Sequence, residues 1–280
     1  MRKRARFILF ICMCLFMACA VCMPISLPVF FQASAEKKEE KEWELLSSYT
    51  TYFNEKDRGR CENIAIAASF LDGITLQAYG DFSFNQTIGK RTSEAGFKQA
   101  KIIVNGEYVL GVGGGVCQVS TTLYNAALKS GLEVLESHPH SLCVSYVPPS
   151  RDAMVSSSCD LKIFNPFSHA VRLKAQVFSG GLKIACYGKN EGYRYEITSH
   201  VLAEIPPPAP LVKEGEKEEI LRAEKNGIKS ESYLEKYQYG RLIARKRLRQ
   251  DEYRSTQGII VKKIKRKRIN CFQTIVFFCN

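Results

Sequence analysis

One cysteine lies where a glycine-rich segment meets the start of a predicted helix, in the sequence GGGVCQVSTTLY from Gly113 to Tyr124. Unpaired backbone N–H groups and the positive end of a helix dipole stabilise negative charge there, so we expect a lowered pKa for the Cys117 thiol. Gly114 and Gly115 let the backbone approach a substrate closely and leave N–H groups to hold an oxyanion. The segment therefore predicts acyl chemistry on sulfur.

An acyl-transfer site also needs a base and a group that orients the base, and two histidines follow the predicted helix. His140 is the preferred base and His138 is the alternative, because the sequence does not say which ring faces the thiol. Asp152 or Asp160 can orient the ring. The alternative interpretation is structural, with His140 hydrogen-bonded to loop backbone and Asp160 capping a turn.

Three more residues are candidates for contacts with a substrate. Arg151 suits a bidentate grip on a carboxylate, or else forms an ion pair with Asp152 in a turn. Gln118, next to the thiol, can donate a hydrogen bond, and Ser141 follows the second histidine. No metal or other cofactor is expected, because no cysteine pair outside the apolar N-terminal segment has the close spacing of a zinc or redox site.

The pattern around these residues predicts an α+β fold, mainly antiparallel sheet with one or two packed helices and a small C-terminal β module. Helices are predicted over 61–71 and from Val116 until Gly131 ends the second one. A hairpin over 100–112 turns at Asn105-Gly106. Further strands are predicted at 74–79, 133–137, 143–147, 160–164, 170–178 and 182–187.

The chain divides into six predicted segments. Cationic residues followed by a long uncharged apolar run predict export, so we expect an extracytoplasmic protein of the cell envelope. The run can be cleaved as a signal peptide, can stay as an anchor, or can carry a lipid at Cys19. The segments are an export signal or anchor (1–35), a charged spacer (36–59), a main domain (60–195), a Pro-rich linker (196–210), a small β module (211–261) and a basic and apolar tail (262–280).

The net charge of +12 is concentrated in clusters at the two ends of the chain. One cluster precedes the apolar run and the other is a short tail, so we expect contacts with an anionic membrane or wall polymer and no binding of nucleic acid. The chain has 11 cysteines, four of them in the apolar run. Of the other seven, Cys61, Cys143, Cys159 and Cys186 are interpreted as small buried residues rather than as disulfide partners.

Five segments, in this order, resemble the VanW family of exported bacterial cell-envelope proteins: DFSFNQTIGKRT, GVGGGVCQVSTTLYNAAL, HPHS, YVPPSRDA and DLKIFNP. The resemblance covers roughly residues 60–190. The C-terminal segment KNGIKSESY and the strand-like repeats after it look like a G5 domain. Where the family often has glycine before its Arg-Asp pair, this chain has Ser150.

The resemblance implies two classes of function. The family is named from vancomycin-resistance clusters and includes proteins that act as peptidoglycan L,D-transpeptidases through a cysteine, which places the nucleophile on Cys117. The expected partners are then peptidoglycan stem peptides. The alternative is a wall-binding accessory protein, associated with glycopeptide resistance, that holds a peptide without turnover. A cysteine peptidase, in which water resolves the thioester, is a third interpretation.

Overall fold

The computed structural model describes residues 43–104 and 106–263. The predicted export segment and most of the basic tail lie outside the described residues, so the membrane and polymer contacts assigned to them stay predictions. None of the described helices is long and apolar enough to cross a membrane.

Three helices and fifteen strands form the described part of the chain. The helices are α1 (Arg58–Leu71), α2 (Phe84–Ile88) and α3 (Val116–Ser130). The strands are β1 (Glu44–Tyr52), β2 (Thr75–Leu76), β3 (Asp81–Ser83), β4 (Gln99–Val104), β5 (Glu107–Val112), β6 (Glu133–Glu136), β7 (Lys162–Phe164), β8 (Val171–Phe178), β9 (Gly181–Gly188), β10 (Tyr193–Ile205), β11 (Leu211–Gly215), β12 (Glu219–Arg222), β13 (Gly227–Gln238), β14 (Arg241–Tyr253) and β15 (Ile259–Lys263).

Antiparallel pairing dominates, as expected for an α+β chain. The strands form sheets in the orders β1-β9-β8-β2, β10-β13-β14, β11-β15-β12 and β3-β7-β6, together with the hairpin β4-β5. Within these sheets only β11 and β15 pair in parallel. The predicted strand at 143–147 is wrong: this segment is an irregular loop that pairs with none of the described strands.

Helix α3 is the centre of the core, and nearly all of its side chains are buried. Its apolar residues Val119, Leu123 and Ala126 are inaccessible to solvent and pack within the main hydrophobic cluster. The helix begins after Gly115 and ends at Gly131, whose φ of 85° is the left-handed conformation that glycine adopts without strain. A helix buried on all sides must satisfy its polar side chains internally, and this requirement shapes the site described below.

The segment predicted as a spacer contributes a strand of the main sheet, so its assignment at 36–59 is corrected from Glu44 onward. Strand β1 pairs antiparallel with β9. Its inward side chains include two polar residues: Ser47 Oγ donates to the Ala126 carbonyl at 2.7 Å, and Thr51 Oγ1 lies 2.8 Å from Thr122 Oγ1. Because helix α3 satisfies these hydroxyls, the two inward positions are buried although they are polar, and the strand lacks the apolar alternation that would have identified it.

The predicted linker at 196–210 is also corrected, because most of it belongs to strand β10, which pairs with β13 over nearly its whole length. Only 206–210 lies between strands. We call residues 193–263, which contain β10–β15, the C-terminal module; it begins earlier than the predicted 211. It packs on the end of α3, where Lys129 Nζ lies 2.7 Å from Glu196 Oε2.

Replacing Gly131 with alanine tests this packing. A Cβ there would lie 2.7 Å from Cε2 of Tyr195 on β10, in addition to the cost of a left-handed φ. We expect urea denaturation to show a loss of about 2–4 kcal/mol in the free energy of unfolding. The matched control is Gly192→Ala, at φ 78° with no atom within 4 Å, which should cost only about 1 kcal/mol. Equal losses in the two variants would contradict the packing of α3 on β10.

Candidate active site

Cys117 occupies the first turn of α3, directly after a tight glycine turn. Gly115 precedes the helix with φ 110°, and the cysteine side chain is partly exposed. The N–H groups of Val116 and Gln118 donate to the carbonyls of Gly113 and Gly115, at 3.1 and 2.9 Å. Within the described residues the Cys117 N–H has no such acceptor. The helix start therefore leaves the Cys117 N–H as a donor next to the sulfur. The N–H groups of Val116 and Gln118 already have acceptors and are not available to hold an oxyanion.

The glycines of the turn are required by packing rather than by approach of a substrate. A Cβ on Gly114 would lie 2.7 Å from the Lys101 carbonyl oxygen of β4, and one on Gly115 would lie 3.0 Å from Cγ of Arg60 on α1. Asn63, fully buried on α1, donates from Nδ2 to the Gly114 carbonyl at 2.9 Å. Helix α1 and hairpin β4-β5 therefore fix the turn, and through it the start of α3.

His140 lies between the thiol and a carboxylate, and its side chain is 6% exposed. Its Nδ1 is 2.6 Å from Asp152 Oδ2, and its backbone N–H donates to the same oxygen at 2.7 Å. The ring lies close to the Cys117 side chain and lowers its pKa, while Cys117 Sγ donates to the Val155 carbonyl at 3.4 Å. Because Asp152 occupies Nδ1, the ring nitrogen that faces the sulfur is Nε2. The structure thus brings together the predicted nucleophile, the preferred base and one of the two candidate orienting groups; we call Cys117, His140 and Asp152 the series.

Polar residues on α3 hold the backbone that carries Asp152. Ser120 Oγ donates to the Ala153 carbonyl at 2.6 Å, and the Ala153 N–H donates to Thr121 Oγ1 at 2.9 Å. Asn125 Nδ2 donates to the Arg151 carbonyl at 2.8 Å. These contacts explain why a buried helix contains the polar residues of the STT segment, and they set the distance between Asp152 and the helix that carries the thiol.

The second carboxylate oxygen of Asp152 is held by the C-terminal module. Arg249 Nη2 donates to Oδ1 at 2.7 Å, and the Tyr253 hydroxyl donates to the same oxygen. Both residues lie on β14, and the Asp152 and Tyr253 residues are each 1% exposed. Asp152 is therefore a fully satisfied buried carboxylate, as a charged group in the interior must be.

The electrostatics of the site favour a thiolate and an imidazolium. Burial raises the pKa of Cys117, but the hydrogen bond and charge of His140, the Val155 backbone and the charge of Arg91 together bring it below its ordinary value. Burial lowers the pKa of His140, but Asp152 and Cys117 raise it to about 9. Burial raises the pKa of Asp152, but its partners hold it below the ordinary value. Both shifts favour the state in which a Cys117 thiolate and a His140 imidazolium carry opposite charges, and the two groups titrate as a coupled pair.

The series opens into a cleft of about 1700 Å³ that contains Cys117 and His140 in its lining. Its walls come from the end of β1, the start of α1, the segment around Arg91, hairpin β4-β5 and the segments 144–146 and 154–157. The charged side chains along it are mostly basic, with a single carboxylate at Asp57; the basic ones are Lys56, Arg60, Lys90, Arg91 and Lys101. The positive charge of this lining favours anionic ligands.

Two predicted substrate contacts point elsewhere. Arg151 Nε donates to Asn125 Oδ1 at 3.0 Å, its Nη1 donates to the Ile197 carbonyl at 3.2 Å, and it does not line the cleft. It is a structural residue because the loop turns its side chain toward β10. Gln118 is 1% exposed and has no free group, since its Oε1 accepts from Arg60 at 2.7 Å and its Nε2 donates to Thr51 at 3.0 Å.

The remaining alternatives also lie away from the thiol. His138 Nε2 is 3.0 Å from Glu136 Oε1, and its carbonyl accepts from Met154, so the ring faces its own strand. Ser141 is absent from the cleft lining, and its carbonyl accepts from the Arg254 N–H at 2.8 Å. Asp160 caps α2, accepting from the Asn85 N–H at 2.9 Å. These residues stabilise the loops around the site instead of contacting the cysteine.

Comparison with known proteins finds a family similarity for the central part of the chain. Residues 59–187 match a family model described as VanW like protein. We call residues 59–187 the VanW-like domain. The chain is 40% identical over 146 residues to the uncharacterized protein YoaR of Bacillus subtilis (strain 168), covering 52% of this chain and 48% of that protein. It is 28% identical over 109 residues to the vancomycin B-type resistance protein VanW of Enterococcus faecalis (strain ATCC 700802 / V583), covering 37% and 40%.

The chain thus spans less than half the length of these two relatives. A crystal structure of HP0197-G5 overlaps 25% of this chain and 96% of its own length, at 17% identity and a TM-score of 0.16. That score is too low to assign a fold, so the G5-like nature of the C-terminal module stays a prediction.

Ser150, next to the Arg-Asp pair of the VanW-like domain, adopts a conformation that favours glycine. Its φ is 58°, in the left-handed region. The residue is buried and its groups are all used: its N–H donates to the Tyr253 hydroxyl at 2.7 Å, its hydroxyl lies 2.8 Å from that of Ser230, and its carbonyl accepts from Ser232. Contacts from the C-terminal module stabilise a serine where the backbone suits glycine.

The lowered pKa of Cys117 predicts selective alkylation. The five cysteines within the described residues are free, and Cys61 is a partly exposed reference whose pKa is raised by burial and by Asp57 and Glu55. At about pH 6 we expect iodoacetamide to label Cys117 at least about tenfold faster than Cys61, as measured by peptide mapping. His140→Gln should remove this advantage. Equal rates for the two thiols in the unaltered protein would refute the thiolate.

Proposed function

We propose that this chain is a cysteine-dependent acyltransferase of the cell envelope, a peptidoglycan L,D-transpeptidase. The observation that carries the proposal is the hydrogen bond between His140 and Asp152 beside Cys117, with Cys117 in the lining of a basic cleft. A buried structural cysteine needs none of these partners. A nucleophilic cysteine needs a base, a group that orients it and a place for the substrate.

The first half-reaction forms a thioester. The Cys117 thiolate attacks the carbonyl carbon of the amide that precedes the terminal D-amino acid of a donor stem peptide. The carbonyl oxygen becomes an oxyanion, and the Cys117 N–H is placed to donate to it. As the C–N bond breaks, the His140 imidazolium gives its Nε2 proton to the departing amine. The D-amino acid leaves, and His140 is neutral.

The second half-reaction restores the resting pair. An amine of a neighbouring stem peptide attacks the thioester carbonyl, and neutral His140 takes the proton that the amine loses. The C–S bond then breaks and leaves Cys117 as a thiolate beside an imidazolium. If water attacks instead, the same steps release a shortened peptide. The difference between a transpeptidase and a cysteine peptidase therefore depends on which nucleophile the cleft admits.

The charge of the cleft supports a peptide substrate that carries carboxylates. Stem peptides are anionic, and the lining of the cleft contains five basic residues but only one acidic residue. Arg91 contributes to the lowered pKa of Cys117 and therefore lies close enough to act on charge at the sulfur. The resemblance to a vancomycin resistance protein supports a role in the wall, which is also where the predicted export signal would take the chain.

The proposal predicts products that depend on a single thiol. Purified protein incubated with stem tetrapeptides should yield cross-linked dimers and free D-amino acid, detected by mass spectrometry. Cys117→Ala should abolish both products. Cys61→Ala is the matched control, because this thiol is outside the cleft lining and its pKa is raised, and it should leave the yield unchanged.

Two other outcomes would replace the proposal. Shortened monomers without cross-links would indicate a cysteine peptidase. A Cys117→Ala variant that still binds peptidoglycan, together with unaltered protein that forms no product from any tetrapeptide, would indicate the accessory role.

A further inference from the structure

We propose that Arg249 and Tyr253 are positioning residues of the active site, so that the C-terminal module completes the site of the VanW-like domain. Both act through Asp152 and neither touches the substrate cleft. The inference rests on the proposed function only for its effect on turnover. Its effect on the Cys117 thiolate can be measured without a substrate.

The two oxygens of Asp152 have separate partners. Oδ2 receives the backbone N–H of His140 and contacts its Nδ1, at 2.7 and 2.6 Å. Oδ1 receives Nη2 of Arg249 and the hydroxyl of Tyr253. One oxygen of Asp152 therefore hydrogen-bonds the base, and the other hydrogen-bonds the C-terminal module. Fixing Oδ1 fixes the plane of the carboxylate, and that plane determines the direction in which the imidazole points.

Burial makes these contacts stronger than surface contacts. The Arg249 side chain is 13% exposed and lies over the ring of Tyr124, with 5.6 Å from its guanidinium carbon to the ring centre. Its Nε is 2.7 Å from Asp251 Oδ2, so one guanidinium lies between two carboxylates. Little water reaches this pair, and removing one partner of a buried charge pair leaves the other uncompensated.

The module also holds the loop between the base His140 and the carboxylate of Asp152. The Arg254 N–H donates to the Ser141 carbonyl at 2.8 Å, directly after His140. Ser232 Oγ donates to the Ser150 carbonyl at 2.8 Å, and Ser199 Oγ donates to the Pro149 carbonyl, just before Asp152. The loop that carries base and carboxylate has no strand pairing of its own over 143–147. The module supplies the contacts that a sheet would otherwise provide.

Loss of Arg249 changes the charge around the series in one direction. Asp152 Oδ1 loses its charged donor, so the carboxylate orients and stabilises the His140 imidazolium less well, and the thiolate at Cys117 forms at a higher pH. Other titratable or charged groups interact electrostatically with Cys117 or Asp152, and the loss of Arg249 leaves them in place. They are Arg91, Tyr124, Cys143, Tyr146, Asp251 and Tyr253.

The experiment measures the pH at which Cys117 becomes half reactive toward iodoacetamide, in the full chain. Arg249→Met should raise this pH by about one unit, and Tyr253→Phe should raise it by less, because it removes one of two donors. Arg249→Lys keeps the charge but not the forked geometry and should give an intermediate shift. The matched control is Arg247→Met, an exposed arginine on the same strand, which should give no shift.

A double variant separates a positioning role from a merely structural one. If Arg249 acts through Asp152, Asp152→Asn and Asp152→Asn with Arg249→Met should have the same midpoint. Additive shifts would overturn the proposal, and so would an unchanged midpoint in folded Arg249→Met. If thermal unfolding shows that Arg249→Met does not fold, Tyr253→Phe and Arg249→Lys decide in its place: a rise supports the proposal and no rise overturns it. These results stand whether or not cross-linked products form.

Discussion

A carboxylate that is 1% exposed stays charged only if both of its oxygens are hydrogen-bonded. Asp152 meets this condition with partners from three parts of the chain. His140 comes from its own loop, Arg249 and Tyr253 come from β14, and the polar residues of α3 hold the backbone on either side. The packing of the C-terminal module on the VanW-like domain therefore cannot be separated from the orientation of the base.

The thiol depends on that orientation. Cys117 gains its lowered pKa chiefly from His140, against the opposing effect of burial, and His140 keeps its proton up to about pH 9 because Asp152 lies behind it. The glycine turn mainly fixes the position of the Cys117 sulfur, because α1 and β4 leave no room for a side chain at Gly114 or Gly115. The start of α3 thus fixes the sulfur, and the loop and module fix the base that faces it.

Sequence alone predicts the features that have local signals. The thiol at a glycine turn, a helix that ends at Gly131 and the hairpin β4-β5 are found where the pattern indicates them, and the preferred pairing of His140 with Asp152 is the one observed. Contacts between distant segments leave no such signal. Arg249 follows Asp152 by 97 positions, in a strand with several other basic residues. The sequence predicts a spacer where β1 lies and a linker where most of β10 lies. Their polar side chains are satisfied by neighbours that the sequence does not identify.

The central claim is that Cys117 forms a covalent intermediate with a wall peptide. The direct measurement is intact-protein mass spectrometry after acid quenching of a reaction that contains a stem tetrapeptide but no acceptor amine. We expect an added mass equal to the tetrapeptide less its terminal D-amino acid, on the peptide that contains Cys117 and absent from Cys117→Ala. A tetrapeptide that binds in the cleft without any added mass on the unaltered protein would contradict the claim.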